Sequence, residues 1–373
     1  MLMDHAVRSA ERTVNLPTGT LRIAVDRADW PLDELCDFAA RENPKRGFLV
    51  VSRVLGRHLP AAPSTMRRSV RDLASQIPTD LPGPVMVVGL AETAVCLGQT
   101  LHEEWRRHSG RDDVGFVHST RQLVDAPLLC RFEEPHSHAS AHLIYRPNAS
   151  GIDTPRTIVL VDDEVSTGTT LRNLANALVD CWPHVERIVV ATLTDWSADA
   201  TWRTTMPRPT DVFSLLKGAL HWTPGGAPSH DPTFETNAGS LGRIPIHTNY
   251  GRLGLRTAIS VPPSDDLPRD SGPLRIVGTG EFTYLPFLLA ERLESAGRDV
   301  VVQATSRSPA RLGAAMGSKL CFADNYETGV GNYLYNADSE DGRRTWICRE
   351  TPAGSVDSAL IAALDADVLG WGR

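Results

Sequence analysis

The residues best suited to chemistry lie in one stretch, where the acidic pair Asp162 and Asp163 precedes a loop rich in hydroxyl groups. The loop consists of Glu164, Val165, Ser166, Thr167, Gly168, Thr169 and Thr170. Backbone N–H groups and hydroxyls in such a loop bind phosphate, and glycine allows close approach. Carboxylates repel phosphate but accept hydrogen bonds from vicinal sugar hydroxyls. The pattern predicts a ribose 5-phosphate site; the structural alternative is an acidic strand end that caps a helix.

A buried strand and a helix must position these groups. Residues 158–161 form an unbroken apolar run, which is typical of a parallel strand buried on both faces. Apolar residues then recur at helical spacing over 171–178, so that 166–170 form the turn that opens a helix. The loop contains no lysine, which argues against a Walker-type nucleotide site.

The same alternation of strand and helix recurs along the chain. Strand-like and helical runs cover 85–90, 91–105, 114–117, 187–193, 274–277, 285–296 and 299–304. Alternation of this kind predicts an α/β fold with a mostly parallel sheet. Because the carboxyl ends of parallel strands meet at one edge, loops that are distant in the sequence are expected to share a site there.

Two further loops are expected at this edge. Ala91, Glu92 and Thr93 open a helix and either offer backbone N–H groups to a pyrophosphate or serve packing alone. The polar insertion 132–142 is typical of a lid. Its histidines, at positions 136, 138 and 142, instead have spacing that would suit a transition metal.

A basic cluster lies upstream, around the apolar run 48–51. Its members Lys45, Arg46 and Arg53 are either solvated surface residues or cations for an acceptor or a pyrophosphate.

The last hundred residues carry a second candidate pocket. A linker-like composition extends over 225–272, where proline and glycine are frequent. Two loops then follow successive strands and are expected to face one anion or nucleotide pocket. Their residues are Gly278, Thr279, Gly280 and Glu281 in the first loop, and Thr305, Ser306, Arg307 and Ser308 in the second.

Composition limits the class of protein. A chain of 373 residues with 41% hydrophobic and 22% charged residues is long enough for two globular domains. The net charge of −7 argues against nucleic-acid binding through bulk electrostatics. Six cysteines without C-x-x-C spacing predict reduced core residues, and no apolar run is long enough to span a membrane or to resemble a signal peptide. These features predict a cytoplasmic protein.

Taken together, the motifs resemble a two-domain family. The run V-D-D-E-V-S-T-G-T-T resembles the phosphoribosyl pyrophosphate (PRPP) motif of type I phosphoribosyltransferases. With N-P-K-R-G-F-L-V-V-S-R, S-T-R, G-T-G-E-F, S-R-S-P and D-N-Y, the chain resembles an orotate-phosphoribosyltransferase-like domain followed by a TRSP domain, a combination associated with tellurium-resistance and stress gene clusters. Ser306 departs from the second domain's motif, where threonine is usual, but it keeps the hydroxyl.

The resemblance implies boundaries, a reaction and partners. The expected parts are a phosphoribosyltransferase domain over 1–224 with a flexible hood or lid, a partly ordered linker over 225–272, and a smaller α/β TRSP-like domain over 273–373. The implied reaction transfers phosphoribose from PRPP to a base-like acceptor, with release of pyrophosphate and with Mg²⁺ bound mainly through PRPP. A homodimer is also implied.

Roles for individual residues follow from the same resemblance. Asp162 and Asp163 would hold the ribose, Arg121 and the turn at 91–93 the pyrophosphate, and His136 or His138 would handle a proton in the lid. Two rival interpretations are a PRPP- or nucleotide-sensing regulator that binds without turnover, and a zinc hydrolase built on the histidine segment.

Overall fold

The computed structural model describes residues 10–41, 43, 46–133, 141–148, 151–199, 201–225, 242–244, 249–261 and 272–371. The first part of the chain contains most of the strands. Its elements are β1 (Ala10–Leu16), β2 (Gly19–Ala28), α1 (Leu32–Leu35), β3 (Cys36–Ala40), β4 (Phe48–Ser52), α2 (Pro63–Gln76), β5 (Val85–Gly89), α3 (Ala94–Ser109), β6 (Val114–His118), β7 (Gln122–Val124), β8 (Leu128–Glu133), β9 (Ala141–Tyr145), β10 (Thr157–Val165), α4 (Thr169–Cys181), β11 (Arg187–Asp195), α5 (Thr201–Thr204), β12 (Thr210–Pro224) and β13 (Gly242–Ile244).

A seven-stranded sheet forms the centre of this part, in the order β1-β2-β12-β11-β10-β5-β6. The strands from β12 to β6 are parallel to one another, whereas β2 pairs antiparallel with both β12 and β1. All residues of β5 are buried, as expected for an apolar strand covered on both faces. The predicted α/β fold with a mostly parallel sheet is confirmed.

Helices cover the sheet and place the loops at its edge. Helix α3 packs against β5, β6 and β10, while its neighbour α2 packs against β11 and β12. Helix α4 packs against β8, which forms an antiparallel hairpin with β9. The hairpin flanks residues 134–140 of the predicted lid, which lie outside the described residues.

The last part of the chain forms a second, smaller parallel sheet. Its elements are β14 (Leu274–Gly278), α6 (Tyr284–Ser295), β15 (Val300–Ala304), β16 (Lys319–Ala323), β17 (Gly331–Tyr335), a short 3-10 helix (Ser339–Asp341), β18 (Arg344–Arg349), α7 (Ser358–Leu364) and β19 (Asp367–Gly370). The sheet order is β15-β14-β18-β19, and all its neighbours are parallel. Because α6 contacts α2 and α3 as well as β14, the two parts of the chain pack directly together.

The described pieces of the predicted linker contact the first part of the chain. Strand β13 pairs with β7. Leu255 and Phe116 exchange two backbone hydrogen bonds of 2.8 Å, so that the segment 249–261 lies beside β6.

Three of the six cysteines are not buried, contrary to the core prediction. Cys36, Cys96 and Cys348 are buried and all six are free, but Cys181 is exposed because it ends α4 at the surface. In the described part of the chain, no helix has the length and apolar character that crossing a membrane requires.

Candidate active site

The acidic pair lies within β10, which continues further than the sequence pattern predicts. Pairing with β5 stops at Val161 and Gly89, whereas pairing with β11 continues to Val165. The strand continues past its apolar run because β11 supplies backbone partners there. Asp162 and Asp163 therefore lie beside the turn that leaves β5.

Negative charge is concentrated at this position. The N–H of Asp163 donates to Oδ1 of Asp162 at 3.0 Å. Burial, followed by the neighbouring Glu164, raises the pKa of Asp163 to about 6. At pH 7 Asp163 is mostly ionised, and the carboxyl oxygens of the two residues are acceptors suited to hydroxyl groups or to a cation.

Replacing Asp163 by asparagine is expected to raise the free energy of unfolding at pH 7 by about 1 kcal/mol. The raised pKa means that the folded state holds this proton more tightly than the unfolded state, so stability falls as the pH rises from about 4 to about 6. Urea unfolding at pH 4 and pH 7 tests this, with Asp26→Asn at an exposed site in β2 as the control. A variant that is less stable than the parent at pH 7 would contradict the expectation.

The hydroxyl loop leads into α4 as predicted. Gly168 precedes the helix with a left-handed backbone (φ 69°). The Oγ1 atoms of Thr167 and Thr169 lie 3.1 Å apart. A Cβ atom at position 168 would lie 2.3 Å from Cε3 of Trp202, so this ring packs directly against the turn. Glycine is therefore required both by the backbone and by the space available.

The structure brings Arg46 of the basic cluster to the loop. Its Nη2 donates to Oε1 of Glu164 at 2.6 Å, and its guanidinium lies 4.9 Å from the centre of the Phe48 ring. Arg53 instead forms an ion pair with Asp37 in β3, and Lys45 lies outside the described residues. The acceptor or pyrophosphate roles of these three residues remain predictions.

The turn after β5 carries the residues predicted to bind pyrophosphate. The N–H of Leu90 donates to the carbonyl of Val161 at 3.0 Å, which ties the turn to β10. The N–H of Ala91 donates to Oγ of Ser119 at 2.9 Å, and the Ala91–Glu92 peptide is cis. Thr93 precedes the start of α3. The predicted turn and the acidic pair are therefore neighbours.

Arg57, which the sequence interpretation left out of the site, is a central contact of this turn. Its guanidinium is buried and donates to the carbonyl of Glu92 at 2.6 Å and to the carbonyl of Gly280 at 3.0 Å. It also donates to the carbonyl of Thr305. Burial lowers the pKa of Arg57, against the opposing effects of Glu92 and Asp163. The sequence carried no clear signal for this role, because a charged residue after an apolar run is more often solvated than buried.

Arg121, the other predicted pyrophosphate residue, is buried beyond β6. Its N–H donates to Oε1 of Glu281 at 2.7 Å, and Oγ1 of Thr120 donates to Oε2 at 2.6 Å. Burial opposes ionisation of Glu281, but Arg252 at 2.8 Å contributes most to lowering the pKa of that carboxyl to about 2. Glu281 is thus a buried carboxylate that holds the backbone of this loop.

The two loops of the second part meet each other, as their placement after parallel strands predicted. The N–H of Gly280 donates to Oγ1 of Thr305 at 2.8 Å, and Oγ1 of Thr279 donates to the carbonyl of Cys348 at 3.1 Å. Ser306 Oγ lies 3.4 Å from Nε2 of His58. Gly278 ends β14, and the N–H of Ser308 donates to Oγ of Ser306 at 3.1 Å. That these loops bind an anion remains a prediction.

The histidine segment is only partly described. His136 and His138 lie outside the described residues. His142 is buried on β9, where its ring stacks on Phe132 with centroids 4.8 Å apart and its Nδ1 lies 3.1 Å from Oγ of Ser119. Among the residues that the structure describes, no three His, Cys, Asp or Glu side chains are grouped to hold a metal.

Comparison with known proteins gives matches in both parts of the chain. A family model described as phosphoribosyl transferase matches residues 35–219, and a model described as TRSP domain C terminus to PRTase_2 matches residues 265–364. None of the curated proteins matches this sequence.

Several solved phosphoribosyltransferases are structurally similar. Adenine phosphoribosyltransferase from Rhodothermus marinus is 17% identical, with a TM-score of 0.34 over 50% of this chain and 96% of its own. The Giardia lamblia enzyme complexed with 9-deazaadenine is 18% identical, with a TM-score of 0.36 over 51% and 98%. Orotate phosphoribosyltransferase from Aeropyrum pernix is 16% identical, with a TM-score of 0.29 over 46% and 80%.

Proposed function

Because this chain belongs to the phosphoribosyl transferase family and carries a TRSP domain after it, we propose that it transfers phosphoribose from PRPP to a base-like nitrogenous acceptor. Pyrophosphate is the second product, and the reaction contributes to the synthesis of a nucleotide- or nucleoside-like metabolite. The observation that carries this proposal is the position of Asp162 and Asp163, which lie on β10 between the hydroxyl loop and the turn after β5.

We assign a chemically suitable group of residues to each part of PRPP. The carboxylates of Asp162 and Asp163 accept hydrogen bonds from the two ribose hydroxyls. Backbone N–H groups and hydroxyls from Ser166 to Thr170 hold the 5-phosphate at the positive end of α4. The turn at 91–93 and Arg121 hold the diphosphate. The lid, with His136 or His138, excludes water and handles the proton.

The acidic pair also suits the Mg²⁺ that the reaction requires. Carboxylate and phosphate oxygens are the ligands that this cation prefers. Burial and then the neighbouring Glu164 raise the pKa of Asp163, and a nearby cation would favour its ionised form. When bound, Mg²⁺ neutralises charge on the diphosphate and thereby favours its departure. We assign the ion mainly to PRPP, with Asp162 and Asp163 beside the ribose hydroxyls.

Breaking the bond at the anomeric carbon develops oxocarbenium character on the ribose. The residues of the chain therefore have two tasks, which are to hold the ribose and to stabilise the departing anion.

A cytoplasmic homodimer with a role in tellurium resistance is proposed on the resemblance alone.

Release of pyrophosphate in the presence of candidate acceptors tests the reaction. Purified protein, PRPP and Mg²⁺ are incubated with separate purine, pyrimidine and other nitrogen-heterocycle acceptors, and pyrophosphate is measured. We expect pyrophosphate to be released only when a suitable acceptor and Mg²⁺ are both present. Tight PRPP binding without release for any acceptor would instead support the regulator that binds PRPP without turnover, and protein that does not bind PRPP would overturn both.

A further inference from the structure

A salt bridge joins the second domain to the predicted pyrophosphate turn. Nε of Arg307 lies 3.3 Å from Oε1 of Glu92, and both side chains are only 11% exposed. Arg57 approaches the same carboxylate from the first domain, with Nη1 at 3.7 Å from Oε2. Arg307 is held in turn by Asp324, at 3.4 Å from its Nη2. Glu92 is therefore shared between one arginine from each domain.

A second contact joins the domains at the predicted Arg121 loop. Glu281 of the second domain accepts from Thr120 Oγ1 and from the N–H of Arg121. Arg252 binds Glu281 and also pairs with Glu350, at 2.7 Å. Because the side chains of Arg252, Glu281 and Glu350 are buried, the contact is shielded from solvent and from salt.

Glu92 carries a negative charge into a turn that has to accept a diphosphate. An uncompensated carboxylate there would repel the ligand. Arg57 and Arg307 offset this charge through their ion pairs with Glu92, and the hydrogen bond from Arg57 to the Glu92 carbonyl fixes the turn. The backbone groups that face the ligand are then held in place before it binds, which reduces the free energy required to order them.

We infer that the second domain positions the diphosphate-binding segments of the transferase site, through Arg307 on Glu92 and through Glu281 on the Thr120–Arg121 backbone. This inference rests on the proposed function. Arg307, Arg57 and Glu281 are positioning residues, and the two domains form one functional unit.

The test compares two ligands that differ only in the diphosphate. Arg307→Gln is expected to weaken PRPP binding about 10- to 100-fold, because a charge-assisted contact is lost. The affinity for ribose 5-phosphate is expected to stay within about twofold of the parent value, since the hydroxyl loop assigned to the 5-phosphate leads into α4 and is not part of the turn at 91–93. Arg344→Gln is the control: it removes an exposed ion-paired arginine of the second domain, bound to Asp367 at 2.8 Å, at the opposite end of the parallel sheet. It should change neither affinity.

The outcomes separate this inference from the proposed function. Failure of the parent protein to bind PRPP would overturn the proposed reaction, whereas equal PRPP affinity in the parent and Arg307→Gln would overturn only the positioning role. An equal loss for both ligands would also overturn it, because that indicates general damage. If Arg307→Gln does not fold, Glu92→Gln tests the same contact from the first domain. In a double-mutant cycle the two changes should not add, since they remove one shared interaction.

Discussion

A variant with both Asp162→Asn and Asp163→Asn is expected to bind PRPP at least about 100-fold more weakly than the parent protein. Each carboxylate accepts a hydrogen bond from a ribose hydroxyl, and bonds to charged groups contribute more than neutral ones. An amide keeps one acceptor oxygen but presents N–H donors to the same hydroxyls and cannot offset the charge of a cation. Calorimetric titration of PRPP in the presence of Mg²⁺ measures the difference.

The chain offers a matched control for this variant. Asp112 and Asp113 are another adjacent acidic pair, but they precede β6 at the end of the sheet opposite to the proposed site. The variant Asp112→Asn/Asp113→Asn should keep the parent's PRPP affinity, although loss of the Arg111–Asp113 ion pair will change its stability slightly. Full PRPP affinity in the Asp162→Asn/Asp163→Asn variant would contradict the assignment of the ribose site to β10.

Gly168→Ala is expected to weaken binding of both PRPP and ribose 5-phosphate by about 100-fold. The left-handed backbone at Gly168 disfavours any side chain, and the added Cβ would meet the Trp202 ring at 2.3 Å. Since ring and turn cannot both remain in place, the N–H groups that precede α4 would shift away from the phosphate. Weaker binding of both ligands distinguishes Gly168→Ala from Arg307→Gln, which is expected to weaken the binding of PRPP alone.

Gly110→Ala separates backbone strain from the clash. Gly110 ends α3 with almost the same backbone angle, φ 70°, but an added Cβ there has nothing within 4 Å. Both variants should lose about 1 kcal/mol of stability from the unfavourable backbone. Gly168→Ala should lose more because of the clash with Trp202, and it alone should lose binding. Thermal unfolding and titration with ribose 5-phosphate provide the two readouts. Equal ligand affinity in the two alanine variants would contradict a phosphate-binding role for the turn.

Much of the fold could be predicted from local patterns. Apolar runs located the parallel strands, and helical spacing placed the start of α4 at the hydroxyl loop, because these signals depend on neighbouring residues. The predicted end of β10 was too early. The strand continues to Val165 because it pairs with β11, about thirty residues away, and not because its residues are apolar. Polar residues in a strand are not visible to a search for apolar runs.

The inter-domain contacts could not be predicted for a similar reason. The loops at 278–281 and 305–308 follow parallel strands, so their meeting was predictable from topology. The residues that face these loops could not be predicted, because the hydrogen bond from Arg57 to Gly280 joins residues 223 positions apart. Sequence alone also cannot distinguish a buried arginine from a solvated one, which is why Arg57 was missed and Arg53 was included.

Titration of PRPP into the parent protein, with and without Mg²⁺, shows whether β10, the hydroxyl loop and the turn after β5 form a PRPP site. We expect saturable binding at one site per chain that strengthens at least about tenfold when Mg²⁺ is present, because the cation offsets the charge of the diphosphate beside the acidic pair. Binding that is absent under both conditions would contradict the assignment of β10, the hydroxyl loop and the turn after β5 as a PRPP site.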